Sequence, residues 1–465
     1  MSAAQDIGDE VNPVETLAAH VVGTRFEDLP PAAVQAAKTF ILDSIGVGVA
    51  GSDGPWIRQL IDTVKGWGSG DEARVLVHGT RLPAASAAIV NAYQIHCLEY
   101  DCVNEDAVIH PMATILGAVT AEADRAGGYS GKDLILAVAL GVDASCVLGI
   151  SSRAPMRFFR PSTAGAFGAT AAIAKLRGFD EATLINAFGA IYGQISGTLA
   201  PHREGSPVLG MQIGFCARGA ISACDLAQAG LVGPHEVITG MYGYLPMYEG
   251  DYDHIAAFAS LGKTWQITRV SHKPFPSGRL THGVVDGIQQ LLKNDGLKPE
   301  QVERMVALVP PLAHRLTGRP DIPNPEPNYA KLCIPFVAAT ALLEGTVDVQ
   351  HFKGDWLRNP KVHEIAARVE PVEDSNPNTN AVAPQRLEVH LKDGRMLAVD
   401  MPQIFGHPEN PLSYEQNVGK FKGAWASAAR PLSAANADRM IEYVDNLESV
   451  ADVRSLIDLT MAETE

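Results

Sequence analysis

The sequence predicts a mostly α protein, with a large all-helical domain and a smaller α+β lid domain inserted before the C-terminal helices. Three observations carry this. From about residue 14 to residue 261 the chain runs through Ala-rich segments of helical period, cut by Gly and Pro. Alternating, strand-like text occurs only beyond Trp265, and helical text returns after Gly406.

Taken in order, helices are expected in PPAAVQAAKTFILDSIG, AASAAIVNAYQIHCLEYD, TAGAFGATAAIAKLRG and MQIGFCARGAISACDLAQAG. Ser130 in GYSGKDLILAVAL and Asp180 in GFDEATLINAFGA stand where N-caps belong, and Gly178 and Gly230 close the helices before them. The apolar run LILAVALGVDASCVLGI, residues 134–150, carries Asp143 and reads as a buried core helix rather than a membrane span. Past Trp265, MVALVPP (305–311) reads as a strand, and RLEVHLKDGRMLAVDM (386–401) as a hairpin turning at Asp393-Gly394. Helices at THGVVDGIQQLLKNDG and AKLCIPFVAATALLEG lie between them. Residues 1–268 and 405–465 therefore form the expected helical domain, and 269–404 the lid, with a hinge near 263–273 and a return crossing near 402–408.

With 465 residues, 46% hydrophobic and 19% charged, the chain can bury one large core or two moderate ones. Its formal charge of −16 argues against nucleic acid or an anionic membrane as partner. In so acidic a chain, a local cluster of Arg, Lys and His carries extra information. The six cysteines form no CxxC pair, and the N-terminal stretch has acids where an export signal needs a basic region. A reduced, cytoplasmic setting is expected.

GVGVAG, residues 46–51, fits GxGxxG, but no βαβ unit surrounds it, so close helix packing is the better account. No P-loop, HExxH, GxSxG or EF-hand pattern occurs, and no cofactor is expected. The densest polar cluster is HCLEYDCVNEDAVIHP, with His96, Glu99, Asp101, Glu105, Asp106 and His110. A solvated loop is the plain reading; carboxylates beside imidazoles are also what proton transfer requires. Asp101, Glu105 and His110 lack the fixed spacing of a metal site, so no metal is expected. SHKPFPSGRLTHG gathers His272, Lys273, Arg279 and His282 on a proline-stiffened segment, suited either to an interdomain ion-pair hinge or to carboxylate binding. Arg157 and Arg160, and His202, Arg203 and Glu204, are smaller groups that could join the same pocket.

FILDSIGVGVAG, NAYQIHCLEYD followed by IHPMATILGAV, TAGAFGATAAIAKLRG, KPFPSGRLTH, AKLCIPFVAATALLEG and GHPENPLS resemble, in order, landmarks of the MmgE/PrpD family. That resemblance covers nearly the whole chain. It implies a helical domain completed by the C-terminus, an α+β lid, a homodimer, and a metal-free site between the domains that dehydrates, decarboxylates or epimerises small polycarboxylic acids. His110 matches the family's His-Pro, Asp101 its acidic stretch and Lys273 its KPxP segment. Phe159 or Arg160, Leu209 and Gly278 stand where the family carries polar groups. The expected function is a cofactor-independent lyase, either dehydratase or decarboxylase, acting on a di- or tricarboxylic acid. His110 and Asp101 would move the proton, Lys273 would stabilise developing charge, and His282 or Tyr329 would serve as a second acid. Arg160, Arg203, His202, Arg279 and Glu105 would bind substrate. A racemase or epimerase, and a non-catalytic binding relative, are the alternatives.

Overall fold

The computed structural model describes residues 12–462. Residues 1–11, on which the expectation of no export signal partly rests, lie outside the described residues. The architecture is mostly α, with one four-stranded sheet and two short two-stranded ladders.

Local chemistry sets the helix ends. Ser130 accepts from the Asp133 N–H while Asp133 accepts from the Ser130 N–H, a capping box that opens helix Gly131–Ile150. Asp180 caps Glu181–Tyr192 through the Thr183 N–H, and Gly178 and Gly230 follow their helices with positive φ. Helices Pro31–Gly51 and Gly131–Ile150 are long and apolar enough to cross a membrane by length and composition, yet their most apolar windows are 72% and 89% buried in this fold. Asp143 is fully buried at a cost met by two partners, His20 at 3.0 Å and the Gln266 N–H at 2.7 Å. GVGVAG lies within the helix Pro31–Gly51, and a Cβ on Gly51 would stand 1.9 Å from the Gln94 carbonyl oxygen. Those glycines let helices touch.

The larger apolar core draws residues from Val14 to Val270 and again from Phe421 to Leu459, with Leu332 and Val349 reaching it from between, so the C-terminal helices Tyr414–Trp425 and Ala434–Asp445 pack on the N-terminal ones. A second core runs from Phe275 to Ile404, joined by Met156. Its sheet has the order Val369–Glu373, Val302–Val309, Gln385–Leu391, Met396–Met401; the first pair is parallel, the others antiparallel. Gln385–Leu391 alternates buried and half-buried, and its buried side meets helix His282–Asp295, where a Cβ on Gly287 would stand 3.1 Å from Leu387. The hairpin turns at Asp393-Gly394 as expected, Gly394 supplying the positive φ. The strand expected at 305–311 begins earlier, at Val302, and stops before Pro310, which has no N–H for the ladder.

Two crossings join the cores side by side. Val270–Ser271 pairs antiparallel with Val103–Asn104, and the His272 N–H donates to the Gly406 carbonyl at 2.9 Å. This places the KPFPSGR segment over the end of helix Ala84–His96.

Candidate active site

Helix Ala84–His96 delivers His96 at its last turn, and helix Pro111–Ala126 starts directly after His110, with Pro111 at its first position. The connecting loop folds on itself: Asn104 and Ile109 exchange backbone hydrogen bonds at 2.8 and 3.1 Å. Two non-glycine residues here, Glu99 and Val108, are held at φ 53. For β-branched Val108 that is a strained conformation, and both line the same cavity.

Glu99, Asp101, His96, His110 and Lys273 come together although Lys273 lies far along the chain. Lys273 Nζ donates to Glu99 Oε2 at 2.8 Å, with both side chains buried. His96 Nδ1 lies 3.1 Å from each Asp101 oxygen, and its Nε2 is 3.3 Å from Glu99 Oε1. His110 Nδ1 stands 3.4 Å from Asp101 Oδ2 without hydrogen-bond alignment. Burial opposes charge on Glu99 and Asp101, but the neighbouring cations win: Lys273 and His96 hold Glu99 well below the usual carboxylate range, and His96 and His110 do the same for Asp101. Burial also opposes a charged His96, yet Asp101 and Glu99 raise its pKa to about 9. His110 goes the other way: burial, helped by Lys273, outweighs Asp101 and lowers it. One imidazole of the pair therefore rests charged and the other neutral.

Beside this cluster lies a small cavity of about 60 Å³. Its polar contributors are Glu99, His110, His202, Arg279 and Thr317; the rest of its wall is chiefly Val103, Val108, Met156, Phe159, Leu280 and Leu332. Phe159 and Gly278, two of the positions where the family resemblance implies polar groups, line it without a polar side chain.

The other expected site residues divide. Arg279 lines the cavity, but its guanidinium binds Glu105 at 2.8 Å and the carbonyls of Ile404 and Phe405, which ties the two crossings together. Arg160 is 1% exposed and spent on Glu249 and Ser152, while its neighbours Phe159 and Pro161 reach the cavity. His282 is fully buried behind the wall, near Arg279 and bonded to the Ser277 carbonyl, and burial with Arg279 and Lys273 pushes its pKa well down. Arg203 and Tyr329 line a second, outer cavity; the Tyr329 hydroxyl donates to the Pro320 carbonyl at 2.8 Å. His202 borders both cavities, and burial beside Arg319 lowers its pKa to about 3. Glu99 and His96 stood in the polar cluster of the sequence without an assigned role; their i,i+3 spacing at a helix end was the signal for the pair.

Among the described residues, His96, Asp101 and His110 offer ligand atoms within 4.8 Å of one another, close enough to hold a metal ion. Glu105, part of the trio weighed from sequence, is turned to Arg279 instead.

Comparison with known proteins agrees with this architecture. The pattern of the MmgE/PrpD N-terminal domain matches residues 15–254, and that of the MmgE/PrpD C-terminal domain matches 275–449. The chain is 28% identical to a cis-aconitate decarboxylase of Homo sapiens over 462 residues, covering 96% of this chain and 94% of that one. It is 26% identical to the Mus musculus cis-aconitate decarboxylase, covering 94% and 91%, and 24% identical to that of Aspergillus terreus, covering 93% of each. Two matched domain patterns spanning most of the chain, on a helical body joined to an α+β unit, establish that the chain belongs to the MmgE/PrpD family.

Proposed function

We propose that this chain is a cofactor-independent lyase that releases carbon dioxide from a small di- or tricarboxylic acid, with His110 carrying the proton. Relatives named cis-aconitate decarboxylase, at 24–28% identity, support a lyase of this family. The observation that carries the decarboxylase reading is the cavity itself, largely apolar, with a neutral imidazole on its wall. A carboxylate desolvated there is disfavoured relative to the uncharged carbon dioxide it becomes. The electron pair of the broken C–C bond stays on the substrate, and His110, neutral at rest, quenches it from the minor imidazolium fraction that its lowered pKa leaves, with a proton that solvent later replaces. Asp101 steadies that charged form, while Lys273 and burial keep it a strong acid.

Dehydration needs a second acid at the departing hydroxyl. Tyr329 lies in the outer cavity and His282 behind the wall, so neither is placed for that step. Epimerisation has one specific observation in its favour: His110 and His202 both line the cavity, as a two-carrier reaction requires. The same proposal includes a cytoplasmic homodimer that engages neither nucleic acid nor membrane.

The test is to dialyse the protein against EDTA, incubate it in D2O with a panel that includes cis-aconitate, and follow products by NMR. Carbon dioxide release with deuterium at the protonated carbon is expected, and turnover should decline as pH rises and imidazolium is lost. Water loss would move the assignment to a dehydratase; deuterium uptake alone would make it an epimerase. Tight binding with no turnover would make it a binding protein. Activity that needs a divalent ion would reinstate His96, Asp101 and His110 as ligands.

A further inference from the structure

The cations around the inner cavity are already matched. Lys273 has Glu99 at 2.8 Å, Arg279 has Glu105 at 2.8 Å, and His96 has Asp101 at 3.1 Å. His110 and His202 rest neutral, since burial lowers both. Three buried positive charges thus face two buried negative ones and the half-buried Glu105, inside a wall that is mostly hydrocarbon. One carboxylate entering here can find hydrogen bonds; a second or third would be a buried charge without a partner.

The outer cavity is different. It borders the inner one through Met156, His202 and Leu316 and has a volume of about 690 Å³. No Asp or Glu lines it, whereas Arg203, Arg315 and Arg319 do. Among the described residues none of these three arginines has a carboxylate within salt-bridge distance; Arg315 donates to the Met156 carbonyl, and Arg319 to the Leu316 and Arg203 carbonyls and to His202. Arg319 is also fixed in place, its guanidinium 4.9 Å from the centre of the Tyr329 ring. Three unmatched arginines at one cavity are conspicuous in a chain with 53 acids and 37 bases, where other arginines near the site are paired. Held this way, the Arg319 guanidinium recognises carboxylate or phosphate oxygens with little loss of side-chain freedom, while Arg203 and Arg315, both exposed, add positive charge beside it.

We propose that the two cavities form one bipartite substrate site. The reacting end, with a single carboxylate beside a short apolar segment, occupies the inner cavity. A distal carboxylate or phosphate of the same molecule is held in the outer cavity by Arg203, Arg315 and Arg319. His202, neutral and accepting from Arg319 at 3.1 Å, stands between the two compartments. This rests on the lyase reading and deepens it by naming a substrate class, an anion at each end of an apolar link.

The test is binding, so it does not depend on turnover. Titration calorimetry on the His110→Ala protein compares butyrate with glutarate, adipate and 4-phosphonobutyrate. One or more of the dianions should bind about tenfold or more tighter than butyrate, a charge-assisted hydrogen bond's worth. In the triple variant R203Q/R315Q/R319Q the dianions should bind no tighter than butyrate binds to that same variant. The dicarboxylates and the phosphonate distinguish carboxylate from phosphate as the distal group. Dianions that bind no tighter than butyrate, or a gain that survives the triple variant, would overturn the proposal. If instead the gain follows the arginines but no panel compound is turned over by the unaltered protein, the lyase reading fails and the bipartite site stands.

Discussion

Replacing His110 with alanine separates chemistry from structure because the two effects differ in size. The imidazole is 13% exposed, has no aligned hydrogen bond at Nδ1, and faces an existing cavity. Truncation therefore widens a space already present rather than opening a closed void, and should cost about 1 kcal/mol of stability. A positioned proton carrier contributes ~10²- to 10⁴-fold, or ~2.7 to 5.4 kcal/mol at 1.36 kcal/mol per decade. His110→Ala should therefore lower kcat by at least about a hundredfold with little change in KM, because the group acts chiefly in the transition state. The pH dependence gives a second readout. Burial and Lys273 hold the His110 pKa below its ordinary value, so for a decarboxylase kcat/KM should fall as pH rises through that lowered pKa, and the variant should lack this limb. Steady-state kinetics with the productive panel compound and a thermal melt measure both. A folded His110→Ala protein with near-normal turnover would refute the assignment, leaving Glu99 and His202, the other titratable groups on that wall, as proton carriers.

Lys273→Met should destabilise the fold by about 3–5 kcal/mol, since it strands the buried Glu99 carboxylate. Adding Glu99→Gln should restore more than half of that in chemical denaturation; no recovery would mean that Lys273 acts through other contacts. Stability against pH should form a dome peaking near the ordinary imidazole pKa of about 6.5. Toward acid, unfolded His202 and His272 bind protons that their folded forms, with pKa values of about 3 and about 4, refuse. Toward alkali, the folded His96, with a pKa of about 9, keeps a proton that the unfolded chain releases, so its contribution is full below about 6.5 and is lost as pH rises through about 9. His96→Gln should flatten the alkaline limb; an unchanged limb in denaturant titrations would show that His96 is not charged in the fold. For the proposed homodimer, Val208, Phe215 and Leu226 are exposed on one helix, spaced so that they share a face. Phe215→Asp should convert a dimer to a monomer in light scattering with no loss of helix content by circular dichroism, and a protein that is monomeric from the outset would remove the homodimer from the reading.

Much of the fold is written locally. Ser130 and Asp180 announce their helices because an N-cap needs only its own first turn, and Asp393-Gly394 announces its hairpin because the turn depends on the φ that glycine permits. The small residues of GVGVAG and the helical period of the first half point to packed helices for the same reason: the signal is a spacing along one element. The polar cluster from His96 to His110 was likewise visible as a candidate site, since its members are near neighbours in sequence.

Partnership was not legible in that way. Lys273 and Glu99 are 174 residues apart, and nothing in either segment says that the lysine is used up by that carboxylate rather than by substrate. Arg160 looks like a free cation until Glu249, 89 residues on, takes it, and Tyr329 looks like an acid for the reaction until the fold puts it in a different cavity beside Arg319. Period, caps and turns are short-range properties of the chain, so the sequence by itself determined the helices, the hairpin and the polar segment. Which charges cancel and which stay free is decided by contacts between distant segments, so only the tertiary structure could show a charge-matched inner cavity bordering one lined by unmatched arginines.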